Sequence, residues 1–229
     1  MIRGKRMKEK EWVIKNLESE GFRIPEKVRR AFLKVDRKLF VPQQYEDMAN
    51  ADTPLPIGYG QTISAMHMVL IMTTLLDPEV GDKVLEVGTG SGYQAAILAE
   101  IVAPSNTEIK KSGHVYTVER IKELAEFAKE NLKKAGYCDR VTVFVGDGSQ
   151  GLKEFSPYDR IIVTAASPKV PESLKDQLKV GGTLVIPIGS IEFQSLYVIR
   201  KNSEKTFNIK KSISCVFVPL IGKEGFDEK

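Results

Sequence analysis

The rhythm of apolar positions changes at about residue 83 of this chain. Before that point, hydrophobic residues recur at helical spacing. Trp12, Val13, Ile14 and Leu17 predict a helix over residues 8–20 that stops at Gly21. Pro25 opens a second, short helix with Val28, Phe32 and Val35 on one side. A loop punctuated by Pro42, Pro54, Pro56, Gly58 and Gly60 leads to a strongly apolar helix, 64–76, closed by Asp77 and Pro78. This first third predicts no buried strand.

From residue 83, short apolar runs alternate with helical stretches. KVLEV precedes a helix over 92–102, and HVYTV precedes one over 120–135 that ends at Gly136. VTVFV runs into Gly-Asp-Gly, and YDRIIVTA into a helix over 171–178. GGTLVIPIG follows, and then two late strands, SLYVIR and ISCVFVP, whose short connection predicts an antiparallel hairpin near a sheet edge. Alternation of this kind predicts a mostly parallel, doubly wound sheet with helices on both faces. Residues 103–113, APSNTEIKKSG, predict an exposed loop insertion.

Length adds that 229 residues suffice for one large α/β domain and a small addition. Residues 1–78 form the N-terminal helical and looped segment, and 79–229 the core. The hydrophobic share of 42% and charged share of 28% exclude a disordered chain. A net charge of +4, without a block of like charges or an aromatic-basic cluster, does not predict a nucleic-acid partner. Two isolated cysteines, Cys138 and Cys215, suit a reducing cytoplasm, and with two histidines they offer no zinc site. No apolar run reaches the ~18 residues of a membrane span. The charged N-terminus lacks the apolar core of a secretory leader. Lys and Glu are abundant relative to Gln and Asn, a composition that suits a thermophile.

Candidate chemistry centres on VLEVGTGSGY, Val84 to Tyr93, where a strand enters a glycine-rich turn and then a helix. In an open parallel sheet the ligand crevice lies at such strand ends. The nicotinamide fingerprint would require its third glycine at Tyr93, and no Gly-Lys-Ser/Thr of a P-loop follows. The form present is E-x-G-x-G-x-G: Glu86, Gly88, Gly90 and Gly92. It resembles the first motif of Rossmann-like S-adenosylmethionine-dependent methyltransferases. Such a donor needs acceptors for two ribose hydroxyls, and Glu119, ending VYTVE, offers a bidentate carboxylate. It needs a partner for the adenine amino group, which Asp147, with Gly148 beside it, is placed to supply. Its positive charge favours acidic neighbours such as Glu86. Each residue alone has a plainer reading. Glu119 suits a helix start, and Asp147 suits a turn. Three such residues at successive strand ends favour a cofactor.

The acceptor is read upstream. TAASP, Thr164 to Pro168, lacks the Asn/Asp-Pro-Pro-aromatic segment that base methyltransferases resemble one another in. GQTIS, Gly60 to Ser64, resembles the signature of the protein-L-isoaspartate O-methyltransferases. The family pattern continues through VYTVE, GDG, YDRIIVTAA, QLKVGGTLVIPIG and VFVPLIG, so that the resemblance covers residues 8–226. Met66 stands where the family commonly has proline. The resemblance implies methyl transfer from S-adenosyl-L-methionine to the free α-carboxylate of L-isoaspartyl residues in damaged proteins and peptides. The ester then closes to a succinimide that reopens in part to aspartate. It implies that Ser64 is the active-site residue and orients the substrate carboxylate, with Thr62, Val218 and Leu220 contacting the peptide. A carboxylate of pKa ~3.9 is already a nucleophile at neutral pH, so no general base is needed. Plain readings stand beside these: Ser64 as a helix cap, and Val218 and Leu220 as edge-strand core residues. His67 receives no role. Competing functions are another carboxyl methyltransferase on the same scaffold, which leaves GQTIS unexplained, and a non-catalytic cofactor-binding or RNA-associated module.

Overall fold

The alternation beyond residue 83 folds, in the computed structural model, into one seven-stranded sheet. The described residues are 2–105, 108 and 112–228. Part of the 103–113 insertion lies outside them.

Five parallel strands form the centre: β3 (Lys83–Val87), β4 (His114–Glu119), β5 (Val141–Val145), β6 (Tyr158–Val163) and β7 (Leu178–Gly189). β8 (Gln194–Ser203) and β9 (Thr206–Cys215) follow as an antiparallel ribbon. The order is β5-β4-β3-β6-β7-β8-β9. The chain moves outward in one direction from β3 to β5, then returns to the other side of β3 through β6. The two halves therefore diverge at β3 and β6, and this is the switch point where such sheets open a crevice.

β9 ends at Cys215 and does not run on through VFVP. Its partner strand begins at Gln194, opposite Cys215, so no backbone remains to pair with. The Gln194 side chain instead accepts the Phe217 N–H at 2.8 Å, and the chain leaves the edge for the end of β6.

Helices α3 (Met66–Leu76), α4 (Tyr93–Val102) and α5 (Lys122–Ala135) cover one face with α1 (Ile2–Ser19) and α2 (Glu26–Lys34). Period-2 alternation sends Val84, Val115 and Val185 to that face and Leu85, Val87 and Leu184 to the other. The second face carries α6 (Glu172–Gln177), short 3₁₀ turns and the C-terminal segment. Val13, Ile14, Leu17, Val28, Phe32 and Leu70 are buried in the same cluster as the sheet. Each such side chain contributes ~1.5–3 kcal/mol on burial, which fastens the N-terminal segment to the core. Trp12 departs from the predicted helix face. It is 59% exposed, because the buried stripe of α1 runs through its neighbours.

The first third does contain strands. β1 (Leu55–Gly58) and β2 (Gln61–Ile63) form a two-stranded hairpin. Its two-residue turn, Tyr59-Gly60, holds both residues left-handed (φ 53° and 69°), which matches the twist of a tight hairpin. The hairpin delivers Ser64 to the crevice. No helix among the described residues is long and apolar enough to cross a membrane.

Candidate active site

The crevice above β3 and β6 encloses about 770 Å³, including its open mouth. Its walls come from the β1–β2 hairpin, the glycine turn, the end of β4 and residues 218–221. Thr62, Ser64, Gly88, Gly90, Glu119, Gly148, Val218 and Leu220 all line it. Glu86, Gly92 and Asp147 do not.

Backbone geometry builds the glycine turn. The Gly88 N–H donates to Val118 at 2.9 Å, and Thr164 donates to the Gly88 carbonyl at 2.6 Å. Gly88 sits at φ +94°, and a Cβ there would lie 2.5 Å from the Thr164 hydroxyl oxygen. Only glycine meets both conditions. Gly92, at φ +88°, serves the packing of α5 instead: a Cβ would press on Leu132 at 3.1 Å.

Glu119 is fixed before any ligand arrives. One carboxylate oxygen accepts the Gly90 N–H and the other the Ile121 N–H, each at 3.0 Å. A carboxylate has about four lone-pair sites, so one acceptor site per oxygen remains for two adjacent hydroxyls. The adjoining wall carries Arg120 but no P-loop lysine, so the site is unlike a phosphate cradle.

Glu86 lies one layer lower, fully buried. It acts on the cavity through hydroxyls: Thr117 donates to Glu86 at 2.5 Å, and Thr89, on the wall, meets Thr117 at 2.7 Å. Burial pushes the Glu86 carboxyl up to about 8, against the Thr117 hydrogen bond and with help from the Glu119 charge. Folded protein therefore holds a proton there that unfolded chain releases near pH 4.5. The Glu86 contribution to stability is full below that value and is lost as pH rises toward 8, by at most about 5 kcal/mol. Glu86→Gln in the ligand-free protein should flatten this decline. Melting curves from pH 5 to 8.5 read it directly, and a slope equal to wild type contradicts the assignment.

Asp147 is engaged on both carboxylate oxygens by the protein itself. One oxygen accepts the Ser149 N–H (2.9 Å) and hydroxyl (2.7 Å), and the other accepts Gln150 Nε2 (3.1 Å) and the Lys223 N–H (2.8 Å). Burial raises its pKa, but the Lys223 and Ser149 donors outweigh that and hold it below the usual range. Its lone pairs are filled by its own turn and the C-terminal segment, so in this structure the adjacent Gly148 forms the wall.

Ser64 precedes α3 and does not cap it. The residue before the helix is Ala65, without a side-chain cap, and Asp52 accepts the His67 N–H at 2.9 Å in that place. Among the described residues nothing pairs with the Ser64 hydroxyl. His67 is turned to Asp52, with Nδ1 3.0 Å from its carboxylate. That contact raises the imidazole pKa.

Two residues of the site escaped sequence reading. Arg37 is fully buried and donates to the carbonyls of Ala49, Ala51, Thr53 and Ser64 at 2.8–3.2 Å. VDRKLF gives no local signal of this, since Arg37 stands there between the charged Asp36 and Lys38. Tyr93 lines the cavity, and its buried hydroxyl has no partner among the described residues.

The C-terminal segment enters beside Ala166. The Ala166 N–H donates to Val218 and the Leu220 N–H to Ala166, each at 2.7 Å. Val218 and Leu220 are thereby placed at the cavity, off the sheet edge.

Comparison with known proteins places this geometry. The sequence model of the protein-L-isoaspartate(D-aspartate) O-methyltransferase family matches residues 7–225. A protein-L-isoaspartate O-methyltransferase of Hyperthermus butylicus is 56% identical over 216 residues, covering 94% of this chain and 90% of its own. One from Staphylothermus marinus is 57% identical over 220 residues, covering 96% and 97%. A solved structure of a protein-L-isoaspartate O-methyltransferase from Plasmodium falciparum, in complex with S-adenosyl-L-homocysteine, superposes with a TM-score of 0.78. It is 29% identical, with 91% of this chain and 96% of that one covered.

Proposed function

Because this chain belongs to the protein-L-isoaspartate(D-aspartate) O-methyltransferase family, we propose that Ser64 and residues 218–220 receive the isoaspartyl peptide and that Glu119 and the glycine turn hold the methyl donor. The chain is an S-adenosylmethionine-dependent repair enzyme. It methylates the free α-carboxylate of L-isoaspartyl residues, and the ester leads through a succinimide back to aspartate.

The single observation that carries the assignment of parts is Glu119. Its carboxylate is held by two backbone amides, with acceptor capacity left on each oxygen. A vicinal ribose diol fits that arrangement. Gly88 and Gly90 let the backbone approach the donor, and Gly148 closes the far wall. Glu86 supports the turn from below, and Asp147 positions Gly148. When bound, S-adenosylmethionine supplies an electrophilic methyl group.

The protein's share of the chemistry is positioning. The substrate carboxylate needs no base, since it is ionised at neutral pH. Ser64 offers a hydroxyl donor that no described residue occupies, and Arg37 fixes the backbone beneath it. Thr62, on β2, stands at the mouth. Holding nucleophile and methyl carbon in line supplies ~7–11 kcal/mol of a barrier in well-oriented pairs. The Ala166-facing edge of residues 218–220 is filled, and among the described residues nothing donates to the Pro219 carbonyl. A peptide N–H pairing there would recognise backbone, independent of flanking sequence. Two free thiols suit a cytoplasmic setting.

Ser64→Ala tests the assignment. Loss of one oriented donor lowers kcat/KM for an isoaspartyl peptide about 100-fold, while affinity for S-adenosylhomocysteine stays at the wild-type value. Unchanged kcat/KM removes Ser64 from the mechanism.

A further inference from the structure

A second cavity lies at the other end of α3, on the sheet face that carries α1–α5. It encloses about 940 Å³ including its mouth, between the C-terminal turn of α3, the loop after α1 and the lower half of the β8–β9 ribbon. Register explains its composition. Arg200 pairs with Asn208 and Val198 with Lys210, and directly opposed residues share a face. Val198 is buried in the α-helical core, so Arg200, Asn208 and Lys210 all project on that side. Arg23 enters from the loop before α2.

Three cations from three elements thus meet one concavity. Among the described residues none of the three side chains has an ion-pair or hydrogen-bonding partner. Their neighbours differ. Asp77, the acid on the wall, is engaged by Lys27 at 2.7 Å, and Lys27 also pairs with Glu79. The C-terminal dipole of α3 opposes an anion here, but it is outweighed by three full charges. The wall also holds Thr74, whose buried hydroxyl has no partner among the described residues. Pro25, Leu75 and Val198 supply apolar surface.

We propose that this cavity binds a small phosphate-bearing anion, gripped by Arg23, Arg200 and Lys210. Guanidinium forks match phosphate oxygens in bidentate fashion, and a lysine adds a mobile point charge. Asn208 supplies a neutral donor. A concave site of this size fits a compact polyanion, and its apolar wall accommodates an organic body beside the phosphates. The site is separate from methyl transfer, since none of these residues lines the first cavity.

Calorimetric titration of the full protein, with S-adenosylhomocysteine saturating the first cavity, tests this. The probes are inorganic triphosphate and uridine diphosphate at low ionic strength. Both should saturate one site with Kd below about 1 mM and weaken as salt is added. Tighter binding of the nucleotide identifies an organic phosphate as the occupant, and tighter binding of triphosphate an inorganic one. The double variant Arg200→Ala/Lys210→Ala should weaken both at least about tenfold and keep wild-type methyl transfer to an isoaspartyl peptide, which certifies its fold. No saturable binding of either probe overturns the proposal, as does binding that the double variant leaves intact.

Discussion

Glu119→Ala is expected to raise the dissociation constant for S-adenosylhomocysteine about 100- to 10,000-fold. Two hydrogen bonds from hydroxyls to a charged carboxylate are lost, each contributing about 1.5–3 kcal/mol, and 1.4 kcal/mol is a factor of ten. The substitution also leaves the Gly90 and Ile121 amides without their acceptor, so the glycine turn loosens. Glu119→Gln is no rescue. Both carboxylate oxygens accept a backbone N–H, and a carboxamide has one oxygen, so its NH₂ must face one of those donors. Affinity should fall by more than tenfold in this variant too. Calorimetry on both variants reads the effect, and wild-type affinity in Glu119→Ala contradicts the placement of the donor.

Arg37→Met should cost about 3 kcal/mol or more of stability, because it leaves buried carbonyls unpaired. Four carbonyls lose their donor: Ala49, Ala51, Thr53 and Ser64. The melting temperature then drops by about 6–12 °C for a chain of this size. Activity should fall further than stability, measured at a temperature where the variant remains folded. The Ser64 carbonyl is one of the four, so its hydroxyl loses its fixed bearing while the donor cavity persists. The signature is a lowered kcat with near-normal cofactor affinity. Arg37→Lys restores part of the stability only, since an ammonium lacks the planar fork that spans two pairs of carbonyls. Wild-type melting and kcat in Arg37→Met contradict this role.

The strand ends were legible from the sequence because each signals itself locally. A glycine turn after KVLEV and a carboxylate closing VYTVE are short-range patterns, and the structure brings Gly88, Gly90 and Glu119 to one wall. Length alone made α3 readable, to within two residues of its start. The β1–β2 hairpin was not readable. Its strands are four and three residues long and one carries a proline, so no alternation develops. Asp147 and Glu86 show a different limit. Residue type marks a carboxylate as an acceptor, but which lone pairs are already filled depends on the distant Lys223 and Thr117. Arg37 is the same problem inverted: four carbonyl partners, spread from residue 49 to 64, turn a charge into a buried strut. The order of the last two strands was open in the sequence as well, since a hairpin satisfies its own pairing whichever member meets β7.

Methyl transfer should reach the isoaspartyl carboxylate and spare the ordinary aspartyl one. Two peptides that differ only in Asp versus isoAsp, mixed with enzyme and methyl-labelled S-adenosylmethionine, test it most directly. Label should appear on the isoAsp peptide alone and leave as methanol in mild base, as an ester must. Equal label on both peptides, label that base leaves in place, or no label with cofactor binding intact contradicts it.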